Sequence, residues 1–365
     1  MRHAVTEILT DDGEPAVATA CRAASVAYPR TPQDPVGPAQ GFSSMLFLRF
    51  FLFAVTYMLC AIGFSLLVRS DDTLAALASL SPGRSDAGID PLVLFLLVAG
   101  SVVLYFMSGR FKALARDTHL AILGTGIFLV SFSLVKTALP LAMPFYADPL
   151  LASLDRALHF GTDPWQIAHA FAPWINPTVA AVFYVSVWMF FSTAFPLFLA
   201  LADRDDARRT RYLVLFLFIW VVLGNFVAIS LMSAGPIYYD SLFAEPALAG
   251  LHEALASSGV AASATGAVQE FLWTTYAENR TELGSGISAF PSVHVAMATL
   301  IALYVAERWR YAAPLGLLYL LGVLFMSVYL GWHYAVDGYF SILAVVALAF
   351  ALRRKGSRAA SLART

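Results

Sequence analysis

The sequence has few charged residues and few cysteines, and each shortage excludes a class of protein. Only 13% of the 365 residues are charged, about half of the roughly 25% typical of soluble globular proteins, whereas 59% are hydrophobic. The two cysteines, Cys21 and Cys60, are too few for a disulfide framework or a cysteine-based metal cage. A chain of this composition is too apolar for one water-soluble core, and it indicates an integral membrane protein.

Positive charge is scarce as well. The formal net charge is −1, and no basic stretch is interleaved with aromatic residues, so the composition argues against a nucleic-acid-binding protein. No residue spacing indicates a catalytic metal, and no other cofactor is expected. The sequence identifies no protein partner, and the expected partners are membrane lipids.

Long apolar segments dominate the chain instead. Eight of them have roughly the length of a transmembrane helix, at about residues 45–68, 91–108, 119–143, 178–201, 212–233, 291–306, 311–331 and 335–352. A membrane barrel would need alternating segments of roughly ten residues, and these are not found. We therefore predict an all-α integral membrane protein with about eight transmembrane helices.

The predicted spans divide the chain into four regions. Residues 1–44, which include a run rich in proline and glycine, are expected to form a disordered cytoplasmic tail. Residues 45–118 supply two additional N-terminal transmembrane helices, residues 119–355 form the catalytic transmembrane bundle, and residues 356–365 are a second cytoplasmic tail.

The distribution of Lys and Arg predicts the orientation of the bundle. With a cytoplasmic N-terminus, 18 of the 23 basic residues lie on the inside, as the positive-inside rule requires. Both termini are then cytoplasmic, and the two long loops, 144–177 and 234–290, lie on the outer side. We expect a multi-pass protein of a bacterial inner membrane with its active site facing the periplasmic or outer side. The first long loop carries a helical stripe of leucines that suits the membrane interface: Leu150, Leu151, Leu154 and Leu158.

A histidine and an aspartate interrupt the apolar sequence where the last predicted span begins. In YLGWHYAVDGYF, residues 329–340, His333 and Asp337 are four residues apart. A helix places both side chains on one face, where the carboxylate can hold one ring nitrogen and leave the other outward as a nucleophile. The alternative is a pair whose members merely satisfy each other at a helix end.

A second polar group precedes the sixth predicted span. The stretch GISAFPSVHVA places Ser292 and His294 where the second long loop ends, and the predicted topology brings His294 and His333 to the same side of the membrane. A serine and free N–H groups at a helix start favour an anion such as phosphate. Phosphoryl transfer through histidine needs a nucleophilic ring, an orienting carboxylate, an anion donor and a second ionisable group. The residues that can fill these roles, in that order, are His333, Asp337, Ser292 and His294.

These two stretches resemble a known family. PSVH at 291–294 and HYAVD at 333–337 are similar to the second and third signature motifs of the type-2 phosphatidic acid phosphatase superfamily, Pro-Ser-x-His and Ser-Arg-x5-His-x3-Asp. The sequence around these motifs, with SAGPIYYD upstream, resembles the branch that contains inositol phosphorylceramide synthases and their bacterial relatives. The resemblance is strong from about 284 to 340, weaker from 119 to 283 and absent before that. It implies a phosphatase-like bundle formed by the last six helices, with His333 as nucleophile, Asp337 as its orienting partner and His294 as acid and then base.

The chain departs from the superfamily pattern in its cations. Met326 and Ser327 stand where the third motif has Ser-Arg, and LMSAGPIYYD holds no cation where the first motif, Lys-x6-Arg-Pro, is expected. Lys136 and Arg280 remain as candidate phosphate-binding residues. An intramembrane lysine is costly enough to be a functional candidate, although Lys136 can also snorkel to the interface. Arg280 can equally be a solvated loop residue.

Three further residues are expected to line the cleft. Tyr238 and Tyr239 follow a Gly-Pro pair after the fifth predicted span, and Ser327 occupies the position of the missing arginine. Tyrosine is also common at membrane interfaces without any role in a site.

The shortage of cations bears on the substrate. A phosphomonoester approaches two negative charges at neutral pH and a phosphodiester carries one, which needs fewer positive partners. We therefore predict a lipid phosphotransferase that moves a phosphoryl-headgroup from a phospholipid donor to a lipid alcohol through a phosphohistidine, as in inositol phosphorylceramide synthases. The alternative is a lipid or polyprenyl phosphate phosphatase that hydrolyses a phosphomonoester or pyrophosphate with the same residues. A proton-relaying transporter would instead need polar groups at mid-membrane depth.

Overall fold

The computed structural model describes residues 45–68, 112–243, 247–280 and 282–362, and the regular elements within these ranges are all helical. The predicted all-α class is confirmed. The α-helices, in chain order, are α1 (Leu46–Val68), α2 (Lys112–Ala142), α3 (Asp148–Leu158), α4 (Pro164–His169), α5 (Pro177–Ala202), α6 (Asp206–Ser230), α7 (Tyr239–Leu242), α8 (Leu251–Ser257), α9 (Ala264–Ala277), α10 (Val293–Arg308), α11 (Ala313–Tyr329) and α12 (Ala335–Leu362). Helices α5 and α6 contain π-helical stretches at Val182–Val187 and Phe218–Val227.

Six of the described helices, α1, α2, α5, α6, α11 and α12, are long and apolar enough to cross a membrane. Helix α10 has 16 residues and is about 24 Å long, which is shorter than the roughly 30 Å of a bilayer core. Its first turns are buried among the other helices, with Val295, Ala296 and Met297 fully inaccessible. Helix α10 therefore begins inside the bundle.

Seven of the eight predicted spans coincide with these helices, within a few residues at most ends. The eighth, predicted at 91–108, lies outside the described residues, as does the predicted tail 1–44. Helix α12 runs to Leu362, well beyond the predicted end of its span at residue 352. The extension is polar and carries Arg353 and Arg354, so the apolar pattern that marks a span stops before the helix does.

Short polar signals in the sequence start several of these helices. The Asn176 side chain accepts hydrogen bonds from the N–H groups of Thr178 and Val179, and Pro177 follows it at the first position of α5. Asp205 caps α6 by accepting from the N–H of Arg208 at 2.9 Å. Apolar packing then holds the helices together, with α1 along α2 and with α10 against both α11 and α12.

The two ends of the bundle differ in their polar contacts. At one end, ion pairs such as Arg209 with Asp117 (3.1 Å) link α6 to the start of α2. The opposite end, called the site end below, consists of segments 143–176, 231–292 and 330–334. His333 lies in the last of these segments, and His294 lies in the first turn of α10, directly after the second. Which end faces the cytoplasm stays a prediction from the distribution of Lys and Arg.

Candidate active site

His333 and Asp337 form a direct hydrogen-bonded pair at the site end. The Nδ1 atom of His333 lies 3.2 Å from Oδ2 of Asp337, and the same oxygen accepts from the N–H of Tyr334 at 3.2 Å. The Asp337 side chain is fully buried and that of His333 nearly so. With Nδ1 held as the donor to Asp337, the second nitrogen, Nε2, is the one that can react.

The backbone around His333 is held by the end of α11. The carbonyl of Ser327 accepts hydrogen bonds from the N–H groups of both Trp332 and His333, each at 3.1 Å. The Ser327 hydroxyl donates to the carbonyl of Leu324 one turn earlier in the same helix. Ser327 therefore supports His333 through its backbone, and a place for its side chain in the cleft stays a prediction.

A glycine permits the loop after α6 to approach His333 closely. Gly235 has a φ of +96°, and a side chain there would lie 2.5 Å from the carbonyl oxygen of Trp332. Only glycine avoids both the strain and the clash. The loop is fixed at this distance by a hydrogen bond from the N–H of Ile237 to the carbonyl of Gly331.

His294 lies next to His333, as the predicted topology requires. The two ring centroids are 6.0 Å apart. The His294 ring stacks on Trp188 at 3.8 Å and on Tyr184 at 4.5 Å, and the indole N–H of Trp188 donates to the carbonyl of His294. Side chains of α5 thus fix the orientation of the second histidine.

Ser292 caps α10 and connects it to α12. Its hydroxyl oxygen accepts from the N–H of Val295 at 3.3 Å, and its own N–H points to the carbonyl of Asp337 at 3.5 Å. Because a hydroxyl can accept and donate at once, the Ser292 proton remains for an oxygen of a bound anion. The side chain is fully buried, two residues before His294.

Lys136 brings a positive charge to both histidines. It is partly buried on α2, and its charge acts electrostatically on His294 and on His333. The loop before α10 packs directly on this part of α2, since a side chain at Gly286 would lie 2.2 Å from the carbonyl oxygen of Lys136. Among the described residues, no carboxylate forms an ion pair with Lys136.

Burial favours the neutral, nucleophilic form of His333. Loss of hydration, followed by the nearby charge of Lys136, lowers the pKa of His333 from its usual value to about 3, while the carbonyl of Ala289 acts in the opposite direction. The imidazole is therefore uncharged at neutral pH, as attack on phosphorus requires.

Arg280 and Tyr238, two other predicted site residues, are engaged elsewhere. Arg280 is nearly half exposed and forms ion pairs with Glu278 and Glu282, so its charge is already balanced at the surface. The Tyr238 hydroxyl donates to the carbonyl of Gln269 on α9. Its ring also stacks on Trp273, and its predicted place in the cleft stays a prediction.

The third predicted tyrosine, Tyr239, lies closer to the site. It packs in a small apolar cluster with Phe290 and Tyr334, and it stacks on Phe243. Tyr334 is the residue directly after His333, so Tyr239 borders the loop that carries the nucleophile. Direct contact with substrate stays a prediction.

Asp148, at the start of α3, joins two loops of the site, and the sequence reasoning missed it. Its buried carboxylate accepts from the hydroxyl of Ser233 and from the N–H groups of Ala234 and Gly235, at 2.8 to 2.9 Å. The Tyr334 hydroxyl donates to the same carboxylate at 3.1 Å. One side chain thereby ties the loop after α6 to the loop of His333.

Asp155, two turns later on α3, holds the start of α12. Its two oxygens accept from the N–H groups of Ala335 and Val336, each at 2.9 Å. Burial raises the pKa of Asp155, and these two hydrogen bonds oppose that rise. The spacing of seven between Asp148 and Asp155 was a signal that could have found them, because it puts two acids on one helical face.

The four leucines predicted to form a stripe on α3 differ in their exposure. Leu150, Leu154 and Leu158 are 41 to 55% exposed, as an interfacial helix predicts, whereas Leu151 is buried on the face that carries the two aspartates. Helix α3 therefore turns its polar face, with Leu151, toward the catalytic loops. Within the described residues, no group of three or more His, Cys, Asp and Glu side chains is arranged to hold a metal ion.

Two histidines at this separation, one of them oriented by a carboxylate, can pass a phosphoryl group between a leaving and an attacking oxygen. That chemistry, at one end of an apolar helical bundle, defines a class of membrane enzymes that act on phosphate esters. The chain belongs to the PAP2 superfamily, whose family model matches residues 149–352, more than half of its length. Members of this superfamily are phosphatases or phosphotransferases.

The match covers His294, His333, Asp155 and Asp337. It leaves out α2 and therefore Lys136. Searches among curated proteins and among solved structures found no match. The choice between phosphatase and phosphotransferase must therefore be argued from the residues of this chain's own site.

Proposed function

We propose that this protein transfers a phosphoryl-headgroup from a phospholipid to a lipid alcohol, in the manner of an inositol phosphorylceramide synthase. The observation that supports this proposal is the charge balance of the site. At the site end, Arg156 is paired with Asp163 and Arg280 with two glutamates, while Lys136, on the adjoining part of α2, has no carboxylate partner among the described residues. One free positive charge suits the single negative charge of a phosphodiester better than the two of a monoester.

The first half of the reaction moves the headgroup to the enzyme. Nε2 of His333 attacks the phosphorus of the phospholipid, and the bond between phosphorus and the diacylglycerol oxygen breaks. The leaving oxygen takes a proton from the imidazolium form of His294 and departs as a neutral alcohol, and the headgroup phosphate stays bonded to His333. Asp337 stabilises the positive charge that develops on the imidazole ring.

The second half reverses these roles. His294, now neutral, takes the proton of the acceptor alcohol as its oxygen attacks phosphorus, and the bond between phosphorus and Nε2 breaks. His333 returns to its neutral form, and the new lipid leaves with the headgroup. A sphingoid alcohol such as a ceramide is the acceptor class that the sequence resemblance favours.

Hydrolysis of a lipid phosphate is the second candidate, with water as the acceptor. A cavity of about 10 Å³ lies beside His333, lined also by Asp155, Tyr334 and Pro236. That volume is about the room that one water molecule needs. The same histidines would then release inorganic phosphate.

The acceptor distinguishes the two reactions. Proteoliposomes that contain the protein, a phospholipid labelled in its headgroup phosphate and a ceramide should yield a new labelled lipid in amounts that depend on the ceramide. The His333→Gln variant, reconstituted at the same density, is the matched control and should form no product. Release of free phosphate alone, unaffected by the alcohol, would establish the phosphatase and exclude the transferase.

A further inference from the structure

Tyr184 is a buried polar side chain at the active site that the reaction described above leaves without a role. It lies on α5, within the π-helical stretch Val182–Val187, and its side chain is 1% exposed. Its ring stacks nearly parallel on His294, with centroids 4.5 Å apart and an interplanar angle of 10°. π-helical turns of this kind are frequent at functional sites, where they redirect a side chain.

The hydroxyl of Tyr184 lacks a hydrogen-bond partner among the described residues. This is unusual, because a buried tyrosine hydroxyl normally finds a partner and is costly without one. Tyr184 also interacts electrostatically with Asp337, the partner of His333. A buried donor therefore stands unused on the residue whose ring stacks on His294.

The site needs donors of this kind. Met326 and Ser327 replace the Ser-Arg of the resembled motif, and the Ser327 hydroxyl is turned back onto α11. Lys136 and Ser292 supply one cation and one hydroxyl. A phosphoryl group has more oxygens than these two donors satisfy, and charge on those oxygens changes as the reaction proceeds.

We propose that the Tyr184 hydroxyl donates a hydrogen bond to a non-bridging oxygen of the phosphoryl group held between His294 and His333. The bond forms only when substrate is present, so the free protein carries an unsatisfied hydroxyl that the bound phosphate satisfies. This inference rests on the proposed phosphoryl transfer at His333, and it applies whether the acceptor is an alcohol or water.

The Tyr184→Phe variant tests this proposal because it removes the oxygen and keeps the ring that stacks on His294. Removing an unsatisfied buried hydroxyl should leave the thermal unfolding midpoint of the detergent-solubilised protein unchanged or raise it. The rate at which a phospholipid labelled in its phosphate transfers label to the protein should fall about 100-fold, as for the loss of one transition-state donor. A purely structural role would lower the unfolding midpoint and the labelling rate together, so a lower rate at an unchanged or raised midpoint excludes such a role.

Tyr319→Phe is the matched control. The Tyr319 hydroxyl, on α11, is also buried without a hydrogen-bond partner, and its ring contacts Phe183 and Phe191, not the histidines. We expect the same stability behaviour and an unchanged labelling rate. A Tyr184→Phe variant that labels at the wild-type rate, or that loses stability and rate together, overturns the proposal for Tyr184 alone. Absence of labelling in the wild-type protein overturns the proposed function, and this inference with it.

Discussion

Replacing Asp155 by alanine should lower the catalytic rate, although Asp155 is not one of the reacting groups. Among the described residues, Asp155 forms no hydrogen bond with His294 or His333, yet it accepts hydrogen bonds from the N–H groups of Ala335 and Val336 at the start of α12. Asp337 lies one residue beyond these two, and it orients His333. Loss of the carboxylate therefore removes two hydrogen bonds that hold the first turn of α12, which positions the nucleophile His333.

The magnitude follows from the two hydrogen bonds. Each buried N–H left without a partner costs about 1–3 kcal/mol, so Asp155→Ala should lower the free energy of unfolding by roughly 2–6 kcal/mol. Asp155→Asn keeps one accepting oxygen and should lose about half as much. A shift of about 1 Å in a catalytic group costs about 100-fold in rate, and we expect a fall of that order for Asp155→Ala.

Two measurements on each variant separate positioning from general destabilisation. Thermal unfolding in detergent reports stability. Single-turnover labelling of the protein by a phosphate-labelled phospholipid, measured well below the unfolding temperature, reports the first chemical step. Asp205→Ala is the control, because Asp205 caps α6 in the same way at the opposite end of the bundle. It should lose about 1 kcal/mol and no activity. Equal loss of labelling in both variants, or wild-type labelling in Asp155→Ala, would refute the positioning role.

Three other predictions follow from single contacts. Lys136→Met should weaken binding of the phospholipid donor about 10- to 100-fold, seen as a higher KM, with partial recovery in Lys136→Arg; an unchanged KM would remove Lys136 from the site. Gly235→Ala should lower the free energy of unfolding by at least about 1–3 kcal/mol, because of its positive φ and the clash with Trp332; an unshifted melting curve would contradict this. With a pKa of about 3, His333 should remain about 99% neutral at pH 5, and the acid His294 gains protons as the pH falls, so the labelling rate should not fall from pH 7 to pH 5. A histidine of ordinary pKa would be about 76% neutral at pH 7 and about 3% neutral at pH 5, and a roughly 25-fold fall would refute the lowered value.

The helical spans and the histidine pair could be predicted because each leaves a local pattern. Apolar runs of about 20 residues mark most of the spans, and the spacing of four between His333 and Asp337 is enough to place them on one helical face. Helix α10 was predictable from its apolar run, but its burial was not, because burial depends on the neighbours that surround it.

The supporting residues could not be predicted in the same way, since their partners are far away in the sequence. Asp148 contacts residues 85 to 186 positions later, and Asp155 contacts residues 180 and 181 positions later. Tyr184 stacks on a histidine 110 residues away, and the apolar sequence around it gives no sign of this. The hydrogen bond from the Tyr238 hydroxyl to the α9 backbone could not be predicted either, because its partner lies 31 residues later.

The central claim is that the headgroup phosphate passes through a covalent bond to His333. The most direct test is to react the reconstituted protein with a phospholipid labelled in its headgroup phosphate, stop the reaction within the first turnover, and map the label to a peptide by mass spectrometry. We predict an acid-labile, alkali-stable label on His333 that is absent from the His333→Gln variant and disappears when a lipid alcohol is added. A preparation that turns over lipid while carrying no label on His333, or carrying it on another residue, would contradict the account.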